Sequence, residues 1–259
     1  MALPLRVGVF PYLNVQPLVF GLADDTRYEL VVDLPSRIAD RFQKRDLDLA
    51  MVPSFEAAKL GAPILDAVCI GSDGPVETVV LHHRIPLTKV KSLAVDEASR
   101  TSAALSKILI AQASGRIPTC TSFSAVTESV CESEAVLIIG DPAFRFQMDG
   151  FDRLDLGAEW KRRYSLPFVF AVMAAGPRAL EKGVGKRLGQ AIQRGLDAAS
   201  TIARSYNSGV EAARAEHYLR RVIRYDLGSK EKEGLALFCR LAQEHGLLAE
   251  VKEFQFHGI

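Results

Sequence analysis

The sequence predicts an α/β fold of two lobes with a ligand cleft between them. Three observations carry that expectation. Short apolar runs alternate with helical patterns as far as Ala174. Two of these runs, Val136–Ile139 and Phe168–Ala174, are apolar throughout, as strands buried on both faces are. Polar clusters follow the strands instead of interrupting them, and open α/β sheets bind ligands beyond the carboxyl ends of their strands.

Leu5–Phe10 reads as a buried first strand. It runs into Pro11-Tyr12-Leu13-Asn14-Val15-Gln16-Pro17, a loop stiffened by two prolines. Each proline fixes its own φ and restricts the residue before it. Tyr28–Asp33 is the next strand, and Ser36 then caps a helix over 37–44. Leu47–Val52 is a strand ended by Pro53; Ser54 caps a helix over 55–60, and Gly61 stops it. Strands are expected at 66–70 and 77–82, on either side of the turn Gly71-Ser72-Asp73-Gly74-Pro75. A second α/β unit follows. It has a strand at 92–95, a helix from Ser99 or Thr101 to about 113, a strand at 118–121 and a helix at 124–131. The apolar strands at 136–139 and 168–174 complete it. From Pro177 the strands are expected to stop. Helices over 178–206, 210–223 and 230–244 carry apolar residues three to four apart, such as Leu188, Ile192, Leu196 and Ala199.

The chain is expected to leave the first lobe near Arg84-Ile85-Pro86 and to return over Phe170–Ala174. Residues 1–85 and 173–259 then form one lobe, with the C-terminal helices packed back on it, and residues 86–172 form the other. Two crossings make a hinge, and a hinge makes a cleft that can close. On pattern alone, one continuous three-layer domain stays open as the alternative.

Composition narrows the function. The 259 residues are 48% hydrophobic and 24% charged, ordinary for a soluble globular protein. The formal net charge of +1, with Lys and Arg scattered, lacks the basic stripe of a nucleic-acid binder. No apolar run approaches a membrane span, and the first residues carry no basic segment ahead of a long apolar one, which predicts a cytoplasmic protein. Cys69, Cys120, Cys131 and Cys239 form no CxxC pair and have no His at metal-ligand spacing; reduced, buried thiols are expected.

Four polar clusters fall at strand-to-helix junctions: Asn14, Ser54, the run Ser99-Arg100-Thr101-Ser102, and Gly140-Asp141. Helix starts offer unpaired N–H groups and a positive dipole end, which suit carboxylates or phosphates. Thr101 and Ser102 add hydroxyl donors and Arg100 a fork of charge. Each cluster alone also fits a plain cap or turn; four facing one cleft make an anion site. Other chemistry is missing. Gly183, Gly185 and Gly189 sit inside a helical segment and miss the dinucleotide spacing. There is no P-loop, GxSxG or HExxH. His82, His83, His217, His245 and His257 are scattered, and Trp160, Phe168 and Phe170 read as core. The residues therefore point to a small anionic ligand and name no reaction.

Further motifs lie in order along most of the chain: Tyr12-Leu13-Asn14 with Pro17-Leu18, Asp46-Leu47-Asp48 leading to Val52-Pro53, and Gly74-Pro75-Val76. They continue with Ser99-Arg100-Thr101-Ser102, Ile138-Ile139-Gly140-Asp141, Asp155-Leu156-Gly157 with Glu159-Trp160, and Leu166-Pro167-Phe168-Val169-Phe170-Ala171. In that order and spacing the chain resembles the menaquinone-biosynthetic chorismate dehydratases of the futalosine pathway. The resemblance implies a type 2 periplasmic-binding-protein-like fold. It implies a hydro-lyase that converts chorismate, a small dicarboxylate, to 3-[(1-carboxyvinyl)oxy]benzoate and water without metal or organic cofactor. Aromatisation would supply the driving force that the missing acid, base and metal do not. The resemblance makes Asn14 a catalytic residue with a hydrogen-bonding role, since an amide is not a base. It makes Thr78 its companion: the family usually has Ser after this Gly-Pro-Val turn, and Thr keeps the hydroxyl while adding a methyl. Ser54, Arg100, Thr101, Ser102, Gly140 and Asp141 follow as substrate-binding residues, with Arg100 also fitting a structural ion pair.

Three other readings compete. One is the related dehypoxanthine futalosine lyase, whose first loop is expected to differ from Tyr12-Leu13-Asn14. Another is a non-catalytic cytoplasmic binder of a small carboxylate. The third, the effector half of a transcription regulator, would need a helix-turn-helix ahead of the strand that starts by Leu5. Oligomeric state and the extent of lobe closure are not legible.

Overall fold

Two sheets, each mostly parallel and each with one antiparallel insertion from the other side of the molecule, form the frame. A computed structural model describes residues 3–123 and 132–258. The expected helix at 124–131 and Cys131 lie outside the described residues.

The first sheet is built from β1 (Leu5–Val9), β2 (Tyr28–Val32), β3 (Leu49–Pro53), β4 (Ile64–Ser72) and β10 (Phe168–Ala175). Two short strands, β11 (Ile223–Arg224) and β12 (Phe256–His257), pair with β4. The order is β11-β4-β10-β3-β1-β2, with β12 beside β4. The second sheet has the order β7-β6-β8-β5-β9, from β5 (Val79–His83), β6 (Ser92–Asp96), β7 (Thr119–Phe123), β8 (Ala135–Ile139) and β9 (Asp152–Asp155). β10 runs antiparallel to β3 and β4, and β5 antiparallel to β8 and β9. Both strands bring the chain in from the other lobe, which is why they run against the parallel strands they join.

These pairings correct the expected crossings. The strand at 79–83 belongs to the second sheet, so the chain crosses within Asp73–Thr78, before Arg84-Ile85-Pro86, and it returns before β10 begins at Phe168. The Gly71–Pro75 turn reads locally as a connection between neighbouring strands. What makes it a crossing is distant: the Asp155 carboxylate accepts from Val76 N at 3.1 Å and Glu77 N at 2.7 Å. The same carboxylate caps the helix that follows it, accepting from Ala158 N at 2.9 Å.

Helices cover both sheets. They are α1 (Gln16–Leu22), α2 (Pro35–Gln43), α3 (Ser54–Leu60), α4 (Arg100–Ser114) and α5 (Leu156–Tyr164), then α6 (Pro177–Glu181), α7 (Gly185–Asp197), α8 (Ala199–Ser205), α9 (Ala212–His217) and α10 (Ser229–Glu244). Gly61 ends α3 at φ 62°, as its position predicts. The caps proposed from sequence fare less well. Pro35, not Arg37, opens α2 behind Leu34, and Ser54 is the first helical residue of α3 rather than its cap. The long helix expected over 178–206 is three helices, broken at Lys182–Val184 and at Ala198. Residues 210–223 divide into α9 and a π-helical turn at Tyr218–Val222. Strands do occur after Pro177, as the two-residue pairs β11 and β12, too short to show a period.

The C-terminal helices pack on the first lobe as expected: α7 lies on α1 and β4, and α10 on β10 and α3. α10 also touches α4 of the second lobe. Backbones meet where α1 crosses α7. A Cβ on Gly195 would stand 2.0 Å from Pro17 O, and one on Gly21 2.0 Å from Ala191 O. Cys69, Cys120 and Cys239 are free thiols, and no described helix is long and apolar enough to cross a membrane.

Two predictions follow from this packing. Gly195→Ala is expected to force α1 and α7 apart and to cost about 2 kcal/mol in denaturant unfolding. An unchanged midpoint would show that the helices slide at no cost. His82, on β5, is buried with its ring edge-on to Phe146 at 5.4 Å, and its Nε2 has no hydrogen-bond partner. Burial, with Arg153 and His83 as positive neighbours, pulls its imidazole down to about 4. The unfolded chain therefore binds a proton at about pH 6.5 that the folded chain refuses, so stability falls as pH drops from about 6.5 to about 4. His82→Phe is expected to flatten the melting temperature against pH across that window; an unchanged slope would assign the loss to other groups.

Candidate active site

A cleft of about 530 Å³, counted out to its mouth, opens where the two sheets face each other. The first lobe contributes Phe10, Asn14 and Phe170, and the second contributes Val79, Ser99 and Ile139. Its walls are mainly apolar, so the few polar atoms that reach it have little water to compete with.

Asn14 is delivered by the stiff first loop. Leu13–Val15 forms one 3-10 turn, and Leu13 and Val15 are buried, which leaves the side chain between them to face the cleft. Its Nδ2 donates to the Tyr218 hydroxyl at 3.3 Å, and its Oδ1 is buried with no partner. Thr78 arrives from the crossing segment, directly after Glu77, whose φ of 64° bends the chain into β5. Thr78 is buried and lines the cleft. Its Oγ1 lies 2.8 Å from the Tyr218 hydroxyl and 3.3 Å from Val76 O. Asn14 and Thr78 are thus brought together, and Tyr218 joins them.

Sequence reasoning missed Tyr218. It sits in the Arg-rich stretch His217-Tyr218-Leu219-Arg220-Arg221, where helical period places it on no special face. The π-helical turn that buries it completely has no signal in composition, although such turns gather at functional sites.

The α4 start also faces the cleft, through Ser99, Arg100, Thr101 and Ser102. Its first N–H groups have no partners within the helix. Ser99 occupies the cap position, yet its side chain makes no capping bond: its Oγ is buried and unpartnered. Two neighbours already have partners in the protein, Arg100 in the ion pair that its sequence also fitted. The Arg100 guanidinium is held by Asp40, at 2.9 and 3.2 Å, and by Glu56 at 3.3 Å, so the structural ion pair is the role that the geometry gives it. Thr101 Oγ1 accepts from Phe55 N at 3.1 Å and so satisfies the first turn of α3 across the lobes. Ser54 stands outside the cleft lining; it is buried and donates to Val169 O at 2.7 Å, a bond to β10 that the expectation of a ligand-facing cap did not include.

Gly140 lines the cleft at φ 69°, and a Cβ there would stand 2.7 Å from the Tyr12 ring. Only glycine admits both the left-handed backbone and the ring. Asp141 does not line the cleft. Its carboxylate accepts from Leu13 N at 3.0 and 3.2 Å. The Tyr206 hydroxyl has two acceptors for its one proton, Asp141 Oδ2 at 2.7 Å and Pro11 O at 2.8 Å. Burial pushes the Asp141 carboxyl above its ordinary range, against the pull of these donors. The residue expected to bind substrate instead latches the second lobe onto the loop that carries Asn14.

The model of a family described as menaquinone biosynthesis matches residues 5–244, strand β1 to the end of α10. The chain belongs to that family. It is 27% identical to a chorismate dehydratase of Thermus thermophilus, over 91% of this chain and 94% of that protein. It is also 27% identical to a chorismate dehydratase of Campylobacter jejuni, over 92% of each. A crystal structure of an Archaeoglobus fulgidus protein superposes with a TM-score of 0.77 at 17% identity, over 95% of this chain and 99% of that one. A Candida albicans protein described as having the generic periplasmic binding protein fold superposes with a TM-score of 0.61 at 15% identity, over 95% and 91%. At such identities these structures establish the fold, and the two-lobed expectation holds.

The latch is testable. Asp141→Ala removes the acceptor of the Leu13 N–H and leaves the Tyr206 hydroxyl only Pro11 O, in its own lobe. It is expected to cost about 2 kcal/mol in denaturant unfolding and to increase the radius of gyration in solution scattering. A compact variant of unchanged stability would show that the lobes are held elsewhere.

Proposed function

We propose that this protein is a chorismate dehydratase: a hydro-lyase of the futalosine route to menaquinone that converts chorismate to 3-[(1-carboxyvinyl)oxy]benzoate and water, in the cytoplasm. The observation that carries the reading is the pair Asn14 and Thr78 on the wall of a mainly apolar cleft, joined behind it through a buried phenol, in a chain of this family.

The reaction asks little of a protein. The ring carbon that bears the ether loses its proton, the C–H electrons form the new ring double bond, and the neighbouring hydroxyl leaves. The product ring is aromatic, so the protein need only orient the substrate, exclude water and assist the leaving oxygen. We assign the proton abstraction to the substrate's own enolpyruvyl carboxylate, which then gives its proton to the departing hydroxide to complete the water. Asn14 Oδ1, buried without a partner in the protein, accepts from the ring hydroxyl and sets its direction. The Thr78 hydroxyl donates to the same oxygen as charge grows on it. One substrate carboxylate sits at the start of α4, where Ser99 Oγ is without a partner and the first N–H groups have none within the helix. No free cation is needed there, since helix N–H groups and hydroxyls bind carboxylates by charge-assisted hydrogen bonds.

Purified protein mixed with chorismate alone is expected to release an aromatic enolpyruvyl ether lighter than chorismate by one water, seen by chromatography and mass. Asn14→Ala is expected to lower kcat by about 100-fold or more. Asn14→Asp should fall further, because its charge faces a dianionic substrate. Near-normal turnover in Asn14→Ala would remove the residue from the reaction. Saturable chorismate binding without turnover by the wild type would make the protein a carboxylate binder, and absence of both would remove chorismate.

A further inference from the structure

The proposed reaction uses Asn14 and Thr78, yet these side chains come from different lobes and make no hydrogen bond to each other among the described residues. What they share is the Tyr218 hydroxyl, 3.3 Å from Asn14 Nδ2 and 2.8 Å from Thr78 Oγ1. Tyr218 is completely buried, and its ring is held edge-on to Phe144 with centroids 4.9 Å apart.

Counting protons gives this contact a direction. An amide nitrogen only donates, so the Tyr218 oxygen accepts from Asn14. The phenol has one proton, and Thr78 Oγ1 is the acceptor in reach. The Thr78 oxygen is then occupied on one side, and its own proton is left to turn either to Val76 O, at a long 3.3 Å, or to the cleft. In this orientation the Asn14 amide has its nitrogen toward the phenol, and its Oδ1, in a residue that lines the cleft, is buried without a partner. Reversing the chain would make Thr78 donate to Tyr218 and Tyr218 to Asn14 Oδ1. Both side chains would then offer the substrate the opposite polarity. Burial raises the phenol far above its ordinary pKa, so it keeps its proton and serves as a link, not a base.

We propose that Tyr218 is a positioning residue that holds Asn14 as an acceptor and Thr78 as a donor toward the substrate, through one directed chain of hydrogen bonds. The proposal rests on the dehydratase reading, and it adds the residue that makes the two lobes act on one oxygen. Tyr218 touches neither ring nor carboxylate in this account; it acts only through its two partners.

The test is a mutant cycle in the full-length protein with chorismate as substrate. Tyr218→Phe removes one oxygen and keeps the ring against Phe144. It is expected to lower kcat about 100-fold while KM changes by less than about threefold, because the α4 start still holds the carboxylate. In a background of Asn14→Ala with Thr78→Ala, the same change is expected to lower kcat by less than about twofold. An unchanged kcat in Tyr218→Phe, or its full loss again in that background, would overturn the proposal. If Tyr218→Phe does not fold, Tyr218→Met takes its place in the same two backgrounds: a large loss of kcat in the wild type that shrinks to less than about twofold in the double variant supports the proposal, and an equal loss in both overturns it. Absence of turnover by the wild type overturns the dehydratase reading and this inference with it; turnover by the wild type with an unaffected Tyr218→Phe overturns this inference alone.

Discussion

The Asp141 carboxylate is the contact on which the cleft depends. It projects from the end of β8 in the second lobe and accepts the Leu13 N–H and the Tyr206 hydroxyl of the first. Asn14 is the next residue along, so its position relative to Thr78 is set by this bond. A carboxylate suits the task because one group accepts several donors and reaches its partners with short, charge-assisted bonds. Partial burial strengthens those bonds and also raises the cost of the charge, which is the physical content of its elevated pKa. The latch is therefore strong only while both donors stay in place.

Other contacts between the lobes have the same character. Arg100 reaches from α4 to Asp40 and Glu56, Thr101 accepts from Phe55 N, and Glu77 pairs with Arg214 at 2.8 Å. Most of these pairs are partly exposed and would each add little by themselves. Their effect on the site is larger than their energies. The carboxylates of Asp40 and Glu56 occupy Arg100, the one cationic side chain on the cleft wall among the described residues, so the cleft offers an anion N–H groups and hydroxyls, which are fixed in direction, rather than a mobile charge. Such a surface selects by geometry, which suits a reaction whose demand is alignment of one C–H and one C–O bond.

Most of the strands, the two-lobed α/β architecture and the Gly61 helix stop were legible because each rests on neighbours in sequence, an apolar period or a glycine at a positive φ; β9, β11, β12 and the α5 helix were not read. The cleft position of Ser99, Ser102 and Gly140 followed from the rule that strand ends face ligands. What was not legible depends on partners far away. Ser54, Arg100, Thr101 and Asp141 have the residue types of ligand-binding groups, and only the fold shows that Val169, Asp40, Phe55 and Leu13 already use them. A hydroxyl or carboxylate at a helix start reads the same whether its partner is a ligand or the opposite lobe. The first crossing was misplaced for a related reason, since the bonds that define it come from Asp155, beyond most of the second lobe in sequence. Tyr218 was invisible because its role is fixed by a π-helical turn, which disturbs the period that sequence reading depends on.

The resemblance read from the sequence implies a serine where this chain has Thr78, and the surroundings of the residue suit the threonine. The residue is buried beside a strand, where β-branching is favoured and a second substituent on Cβ restricts χ1. A serine hydroxyl in this place would hold its direction by hydrogen bonding alone. Threonine adds the steric term, so that the bond to Tyr218 and the preferred rotamer act together. The methyl adds bulk to a wall that is already apolar, with Val76 and Val79 lining the same cleft. The two residues at the centre of the site are thus held by different means, Asn14 by a latched and proline-stiffened backbone and Thr78 by its own branched side chain. Both converge on one phenol, which in the proposed chain of hydrogen bonds gives each of them one direction.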